Sequence, residues 1–178
     1  MGDKQEQHHL YIDELVSDLR VALPVDPVQR GDMAFRVPRT TAVLAEADQL
    51  GLWHAPHWIE DLFERALALP PPEARVLAHG DLHLRHLLLG ADGPTGVIDW
   101  VDVCLADPAI DLVLVWSFLP ASARTPFARE YGGVPEVAQL RSRVLSLFLS
   151  ATLAVYARRE GLPELEREAV AALDRTVT

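Results

Sequence analysis

The densest chemistry in this sequence lies at residues 79–86, HGDLHLRH, where three histidines and one aspartate occupy eight positions. Imidazole nitrogens and carboxylate oxygens can bind divalent metal ions, and both groups can accept a proton during catalysis. The leucine run that follows at 87–89 is typical of a short buried strand. The segment is therefore a candidate metal site or catalytic loop, although polar residues that merely precede a buried strand would give a similar pattern.

Carboxylates continue beyond this segment. Residues 79–111 contain six aspartates and one basic residue, Arg85, and so carry −5 of the formal net charge of −10. Burying an unpaired carboxylate is costly, so several of these side chains should meet a metal ion, a cation or a group of N–H donors. For Asp92 and Asp102 we favour an exposed acidic loop instead.

Asp81, His86 and Asp99 differ from the other polar residues because each adjoins the end of a predicted strand. Turn-forming residues at 90–96 predict a β-hairpin with a loop of about six residues, which would bring His86 and Asp99 to the same end. Two carboxylates and an imidazole could bind a divalent cation, and Asp81 could accept the proton of a hydroxyl nucleophile. Phosphoryl transfer needs that combination.

The elements that must position these residues are mostly helical. Apolar periodicity and proline boundaries predict helices over 4–23, 40–52, 56–69, 126–131, 135–159 and 163–175, a loop over 25–39, and strands at 76–78, 87–89 and 96–98. Asp107 and Pro108 predict an N-cap and a first-turn proline for a helix that reaches Trp116. We assign both Trp100 and Trp116 to the core.

Together these elements predict a single α+β domain over 1–178, mostly helical, with a small β-hairpin. A helical part covers 1–72, the catalytic and metal-binding segment covers 75–112, and C-terminal helices cover 113–178. No internal repeat or linker divides the chain.

The composition limits the partners and the location. A net charge of −10 disfavours binding to nucleic acid or anionic membranes and favours a cationic small molecule. Cys104 is the only cysteine, which excludes an intrachain disulfide. The polar start at 1–10 lacks the apolar core of a signal peptide, and the most apolar stretch, 144–156, is shorter than the roughly 20 residues of a membrane span. We therefore predict a cytoplasmic protein with no membrane span.

Three segments together resemble a known family. HGDLHLRHLL at 79–88, GVIDW at 96–100 and DPAIDL at 107–112 are similar in order and spacing to the catalytic and metal-binding segments of aminoglycoside phosphotransferases and their relatives, a branch of the protein-kinase-like fold. Each segment alone is a weak signal. Their common register over about 34 residues makes the resemblance specific.

The resemblance implies a role for each of these residues. Asp81 corresponds to the catalytic aspartate and Asp99 to the magnesium ligand, while His79, Asp107 and Asp111 support the catalytic loop. His86 stands where the family usually has asparagine, a difference that resembles the macrolide-phosphotransferase branch. The alternatives for His86 are direct metal binding, with a shift from Mg²⁺ toward Mn²⁺, or action through a water molecule. His83 is equally compatible with a solvent-facing and a substrate-contacting position.

The family's N-terminal β-lobe, with its phosphate-covering loop and lysine, has no counterpart that we can identify. The sequence has no G-x-G, and its only lysine is Lys4, so we assign no nucleotide-binding residue. We expect the chain to correspond to the C-terminal lobe, with the N-terminal lobe removed, never encoded or supplied by a partner chain. Apolar surface exposed by its absence would favour self-association.

The resemblance implies transfer of the γ-phosphate of ATP or GTP, with Mg²⁺ or Mn²⁺, to a hydroxyl of a small molecule. Such acceptors include cationic aminoglycosides and macrolides. The alternative is a non-catalytic acidic binding or regulatory module that retains the kinase-like loop. The GDLH sequence also resembles the first metal segment of metal-dependent phosphoesterases, but their asparagine-histidine segment is impossible in a chain without asparagine.

Overall fold

The structure is a computed structural model that describes residues 23–91 and 93–178; the helix predicted over 4–23 lies outside them except for its last residue. The helices are α1 (Met33–Gln49), α2 (Ile59–Leu67), α3 (Val113–Ser117), α4 (Ala121–Glu130), α5 (Glu136–Glu160) and α6 (Pro163–Val177). The strands are β1 (Val76–Ala78), β2 (Leu87–Gly90), β3 (Gly93–Val97) and β4 (Cys104–Ala106). Short 3₁₀ turns cover Leu84–His86, Trp100–Asp102 and Pro108–Ile110. The expected α+β class with a helical majority is confirmed.

Helix α5 forms the centre of the core, where it packs against α1, α2, α3 and α6. It starts after Pro135 and ends at Gly161, whose left-handed conformation (φ 66°) caps the helix. By length and composition α5 could cross a membrane, yet 67% of its most apolar 18-residue window is buried inside the protein. That burial is typical of the central helix of a folded domain.

Helix α1 begins earlier than the sequence predicts. A loop is expected over 25–39, but the helix starts at Met33 because the Asp32 carboxylate accepts hydrogen bonds from the backbone N–H of Ala34 (2.9 Å) and Phe35 (3.4 Å). Pro38 lies inside the helix and removes one hydrogen bond from its second turn. Tertiary packing of the buried face compensates for that loss.

Two separate two-stranded antiparallel sheets frame the catalytic segment. Strands β2 and β3 form the predicted hairpin, but Gly90 pairs with Gly93, so the connection is shorter than expected. Strand β4, which the sequence does not predict, pairs with β1 in the register Val76↔Ala106 and Ala78↔Cys104. This second sheet brings the start of the 79–86 segment next to the chain that follows Asp99.

The remaining helices differ from prediction at their ends. The helix expected from Asp107 to Trp116 is broken into a 3₁₀ turn and α3, with Asp111 at the break. Asp107 caps the turn, as its carboxylate accepts from the backbone N–H of Ala109 at 3.0 Å. Helix α4 starts five residues before Pro126, the predicted start, and includes that proline within the helix.

Candidate active site

The candidate catalytic loop, residues 79–86, follows β1 and is held by Asp111. The Asp111 carboxylate accepts hydrogen bonds from the backbone N–H of His79 at 2.6 Å and of Gly80 at 3.2 Å. Burial raises the pKa of Asp111, and these two hydrogen bonds oppose the rise. Because the break in the helix after Ile110 places this carboxylate under the loop, Asp111 fixes the backbone immediately before Asp81.

Gly80 allows the loop to pass very close to the neighbouring chain. Its φ is +87°, and a Cβ at this position would lie 2.3 Å from the backbone oxygen of Asp102. Any side chain would therefore collide with the 3₁₀ turn that follows Asp99. This contact joins the two halves of the site, and it requires glycine.

His79 connects the loop to the end of the hairpin. Its ring is 1% exposed, its Nδ1 accepts from the backbone N–H of Asp81 (3.3 Å), and its Nε2 lies 2.9 Å from the carbonyl oxygen of Ile98. Together these contacts require a proton on Nε2, so His79 donates to Ile98 and fixes the position of Asp81 relative to Asp99.

His86 lies between the carbonyl of Asp81 and the carboxylate of Asp99. Its Nδ1 is 2.8 Å from the Asp81 carbonyl oxygen, so the neutral ring carries its proton on Nδ1 and leaves a lone pair on Nε2. That Nε2 lies 3.4 Å from Asp99 Oδ2. A nitrogen lone pair and a carboxylate oxygen at this separation fit two adjacent ligands of one divalent ion. The hairpin therefore brings the two sequence-predicted metal ligands together.

Asp99 has an unusual backbone conformation. Its φ of 66° and ψ of 57° place it in the left-handed region, which non-glycine residues rarely adopt. The hydrogen bond from Ile98 N–H to the His86 carbonyl (3.0 Å) holds the preceding residue in register with the hairpin. Strained backbone of this kind is concentrated at functional sites. Here it directs the chain into a tight turn directly at the candidate metal ligand.

Asp81 and His83 occupy the other side of His86. His83 Nδ1 accepts from the backbone N–H of Arg85 (3.3 Å), and its Nε2 lies 3.7 Å from Asp81 Oδ2. The rings of His83 and His86 stack with centroids 3.9 Å apart. Burial, followed by repulsion from His86, lowers the pKa of His83. His83 therefore faces Asp81, and ligand atoms of Asp81, His83 and His86 lie within 4.8 Å of one another.

Asp107 pairs with a buried arginine that sequence reasoning missed, and its carboxylate contacts the backbone N–H of Glu73 and Ala109, not residues 79–86. Arg141 on α5 is 1% exposed, and its Nε lies 3.4 Å from Asp107 Oδ2. Its guanidinium also donates to the carbonyls of Gly31 and Pro70. Arg141 thus ties the loop before α1 to the segment that carries Asp107. The charge of Arg141 within an apolar helix was the sequence signal for such a role.

A cavity of about 170 Å³ opens beside the loop and is lined by Gly80, Asp81, Arg30 and Arg36 together with apolar side chains. Neither arginine is identified from the sequence, because the pattern over 25–39 predicts a loop and loop arginines are usually solvated. Arg30 also donates to Asp102 Oδ1 at 2.7 Å, so the Asp102 carboxylate is paired. A second cavity, of about 210 Å³ and lined by residues of α3, α4 and α5, does not contact the catalytic loop.

The surface beside Asp99 is apolar. Trp100, which the sequence assigns to the core, is 51% exposed; its Nε1 donates to the Val97 carbonyl (3.0 Å), and its ring contacts His79. The hairpin and the turn after Asp99 carry six exposed apolar side chains: Leu88, Leu89, Val97, Ile98, Trp100 and Val101. The assignment of Trp100 was wrong because its turn packs only one side of the indole ring against the protein.

Two known proteins are similar to this chain over part of their length. The uncharacterized protein YcbJ of Bacillus subtilis (strain 168) is 51% identical over 39 residues, which are 21% of this chain and 13% of that protein. Among solved structures, a macrolide 2'-phosphotransferase type I aligns at 22% identity with a TM-score of 0.42, covering 85% of this chain and 50% of that chain. The chain thus spans half the length, or less, of these relatives.

A family model described as "APH: Phosphotransferase enzyme family" matches residues 21–144. The match includes the catalytic loop, the hairpin, Asp99 and the segment with Asp107 and Asp111, which are the parts that the geometry brings together. It agrees with the resemblance drawn from the three sequence segments. The chain belongs to the phosphotransferase enzyme family.

Proposed function

We propose that this chain carries the catalytic half of a small-molecule kinase, which transfers the γ-phosphate of ATP or GTP to a hydroxyl group of its acceptor. The observation that carries the proposal is the position of Asp81. Asp81 lines a cavity, and its backbone carbonyl contacts His86, whose other ring nitrogen lies next to Asp99. An acceptor site and a candidate metal site therefore meet at one residue.

In this proposal Asp81 holds the acceptor hydroxyl and accepts its proton as the oxygen attacks phosphorus. The surrounding contacts prepare it for that role. Asp111 fixes the backbone of the two preceding residues, His79 accepts from the backbone N–H of Asp81, and His83 Nε2 lies 3.7 Å from the Asp81 carboxylate. A proton acceptor whose backbone is fixed at several points loses little freedom in the transition state.

His86 Nε2 and Asp99 Oδ2 would hold Mg²⁺ or Mn²⁺. When bound, the ion neutralises charge on the transferring phosphoryl group. The contact of His86 Nδ1 with the Asp81 carbonyl keeps the Nε2 lone pair available and links the metal ligand to the proton acceptor. The exposed position of Asp99, with 53% of its side chain accessible, leaves room for phosphate oxygens and water.

We further propose that the described residues form the C-terminal lobe of a kinase-like enzyme. The exposed apolar surface beside Asp99 is where a nucleotide-binding lobe, or a second copy of the chain, would pack. A cytoplasmic location fits phosphate transfer from ATP or GTP, because nucleoside triphosphates are available in the cytoplasm. Aminoglycosides, macrolides, amino alcohols and hydroxy acids are the first acceptors to test.

The experiment compares the wild-type chain with Asp81→Asn, using the exposed Asp61→Asn on α2 as the matched control. Transfer from γ-labelled ATP or GTP is measured with Mg²⁺ or Mn²⁺ across the acceptor panel, and nucleotide binding is measured by calorimetry. We expect Asp81→Asn to lose transfer and keep metal-dependent nucleotide binding, while Asp61→Asn behaves as wild type. Normal turnover by Asp81→Asn would exclude the proposed role.

A second variant, Asp99→Ala, tests the metal site separately. We expect it to lose metal-dependent nucleotide binding as well as transfer. If the wild-type chain binds nucleotide with metal but transfers phosphate to none of the acceptors, the non-catalytic binding module becomes the better description. If it binds no nucleotide with either metal ion, the proposed metal and nucleotide site on this chain is overturned.

A further inference from the structure

We propose that the cavity beside Asp81 is selective for alcohols that also carry an anionic group, and that Arg36 is the residue that anchors this group. The inference rests on the proposed function, since it assigns the acceptor class of the same site. It differs from the cationic acceptor expected from the net charge. Net charge describes the whole surface, whereas selectivity is set by the charges that line the cavity.

Arg36 is a largely buried residue that forms no ion pair with any other described residue. It is 6% exposed, and its Nε donates to the carbonyl of Arg30 at 3.4 Å. Among the residues that the structure describes, none accepts a hydrogen bond from either of its Nη atoms. The face of the Phe148 ring, 4.2 Å from the guanidinium carbon, provides a cation–π contact but no hydrogen-bond acceptor.

The other charged groups around Arg36 do not neutralise it. Asp26 attracts it, whereas Arg30 and Arg39 repel it, and burial has the largest effect, lowering the pKa of Arg36 to about 10. Asp26 pairs with Arg30 and not with Arg36, since its Oδ1 lies 3.6 Å from Arg30 Nη1, without a hydrogen bond, and its Oδ2 accepts from the backbone N–H of Gly31 at 2.9 Å. Among the described residues, the two Nη groups of Arg36 are therefore left without a hydrogen-bond acceptor, and only its Nε donates, to the carbonyl of Arg30.

A largely buried charge without an ionic partner is costly. A carboxylate or another oxyanion in the cavity would recover that cost through two parallel N–H···O bonds, the geometry that guanidinium groups favour. Since Asp81 and Arg36 line the same cavity, one molecule can present a hydroxyl to Asp81 and an anionic group to Arg36. An ammonium group in place of the anion would bring a second positive charge close to the guanidinium of Arg36, and the two charges would repel each other.

The size and the walls of the cavity restrict the acceptor further. Its volume of about 170 Å³ is well below the roughly 300–1,000 Å³ of sites that enclose drug-sized ligands. The remaining walls are apolar, with Val113, Leu145 and Phe148 among them. The part of the acceptor that enters is therefore a short aliphatic or single-ring segment between the hydroxyl and the anionic group.

Three probes of equal chain length test this selectivity: hydroxyhexanoate, hexanediol and aminohexanol, each with a terminal hydroxyl. Binding to the 178-residue chain is measured without nucleotide, by NMR shift perturbation. The variants are Arg36→Gln, Arg36→Lys and the matched control Arg39→Gln. Arg39 lies on the same helix, and its guanidinium packs on the exposed side over Phe35.

We expect the carboxylate probe to bind roughly tenfold more tightly than the ammonium probe, because one charge-assisted pair commonly gives a difference of that order. Arg36→Gln should abolish the preference, Arg36→Lys should retain part of it, and Arg39→Gln should leave it unchanged. The inference is overturned if the ammonium probe binds as well as the carboxylate, if Arg36→Gln keeps the preference, or if no probe binds up to its solubility limit.

Transfer to the same three probes separates this inference from the proposed function. Binding that prefers the carboxylate through Arg36, with no transfer in the presence of nucleotide and metal, would support the anionic pocket and contradict the kinase activity. Transfer without a charge preference would support the kinase activity and overturn the role of Arg36. Because Arg36→Lys keeps the positive charge, it provides the test if Arg36→Gln fails to fold.

Discussion

His86 Nε2 lies 3.4 Å from Asp99 Oδ2, while the Nδ1 of the same ring contacts the backbone carbonyl of Asp81 at 2.8 Å. One imidazole thus connects the candidate metal ligand to the candidate proton acceptor. The Nδ1–H of His86 donates to the Asp81 carbonyl, and this hydrogen bond leaves the lone pair on Nε2, which faces Asp99. The backbone of the loop at Asp81 therefore sets the orientation of the ring.

His86→Asn tests whether this ring binds the metal. An asparagine could donate to the Asp81 carbonyl and present an amide oxygen, a harder ligand than imidazole, to the ion. We expect metal-supported turnover to be retained and the ratio of Mg²⁺ to Mn²⁺ activity to increase. His86→Ala, which offers no ligand, should lose activity with both ions. An unchanged metal ratio in His86→Asn would show that His86 acts otherwise.

Gly80→Ala tests the close approach of the loop to Asp102. The matched control is Gly51→Ala, where φ is also positive (+65°) but no atom of the described residues lies within 4 Å of the added Cβ. The control should lose about 1–2 kcal/mol of unfolding free energy from the left-handed backbone alone. Gly80→Ala should lose a further 1–3 kcal/mol, roughly the cost of overpacking. Equal losses in urea denaturation would contradict the close contact between the loop and the turn.

Asp111→Asn tests the buried charge under the catalytic loop. The pKa of Asp111 is raised by burial in the folded protein, so the folded state binds more protons than the unfolded state once the pH exceeds about 3.9, the ordinary value for aspartate. Wild-type stability therefore falls as the pH rises through the raised pKa. Asparagine lacks this titration.

Urea denaturation of both proteins across that pH range gives the measurement. We expect the free energy of unfolding of Asp111→Asn, relative to wild type, to increase as the pH rises and then to level off. The exposed Asp61→Asn should show no such trend. A difference that decreases with pH would mean that the hydrogen bonds from His79 and Gly80 outweigh the desolvation of the carboxylate.

The Arg141–Asp107 pair supports the loop before α1 and the turn that starts α3. Arg141→Met should cost about 3–5 kcal/mol of unfolding free energy, because it leaves a nearly buried carboxylate without its cation. Adding Asp107→Asn should recover part of that loss, since asparagine can still cap the turn without a charge. Arg65→Met, which removes an exposed pair with Glu136, should cost less than about 1 kcal/mol. Additive losses for Arg141→Met and Asp107→Asn would show that the two side chains do not interact.

Features set by neighbouring residues were predictable. The proline and glycine boundaries of α5 and α6, the hairpin, and the cap formed by Asp107 all depend on contacts within a few positions along the chain. The order and spacing of the segments around Asp81, Asp99 and Asp107 were enough to identify the family. The start of α1 was predicted wrongly, because residues 25–39 show little apolar periodicity. The N-cap at Asp32 and tertiary packing nevertheless form a helix there, and this helix includes Pro38.

The sequence by itself therefore determined the family and the helical majority, and it singled out the candidate catalytic and metal-binding residues. Only the tertiary structure decided which side chains share a surface. It placed Arg36 unpaired beside Asp81, paired Arg30 with Asp102 across 72 positions, joined β1 to β4 and left Trp100 half exposed. The physical reason is that these outcomes depend on desolvation and contact between segments distant in the chain, and no periodicity or local propensity records which distant segment supplies the partner.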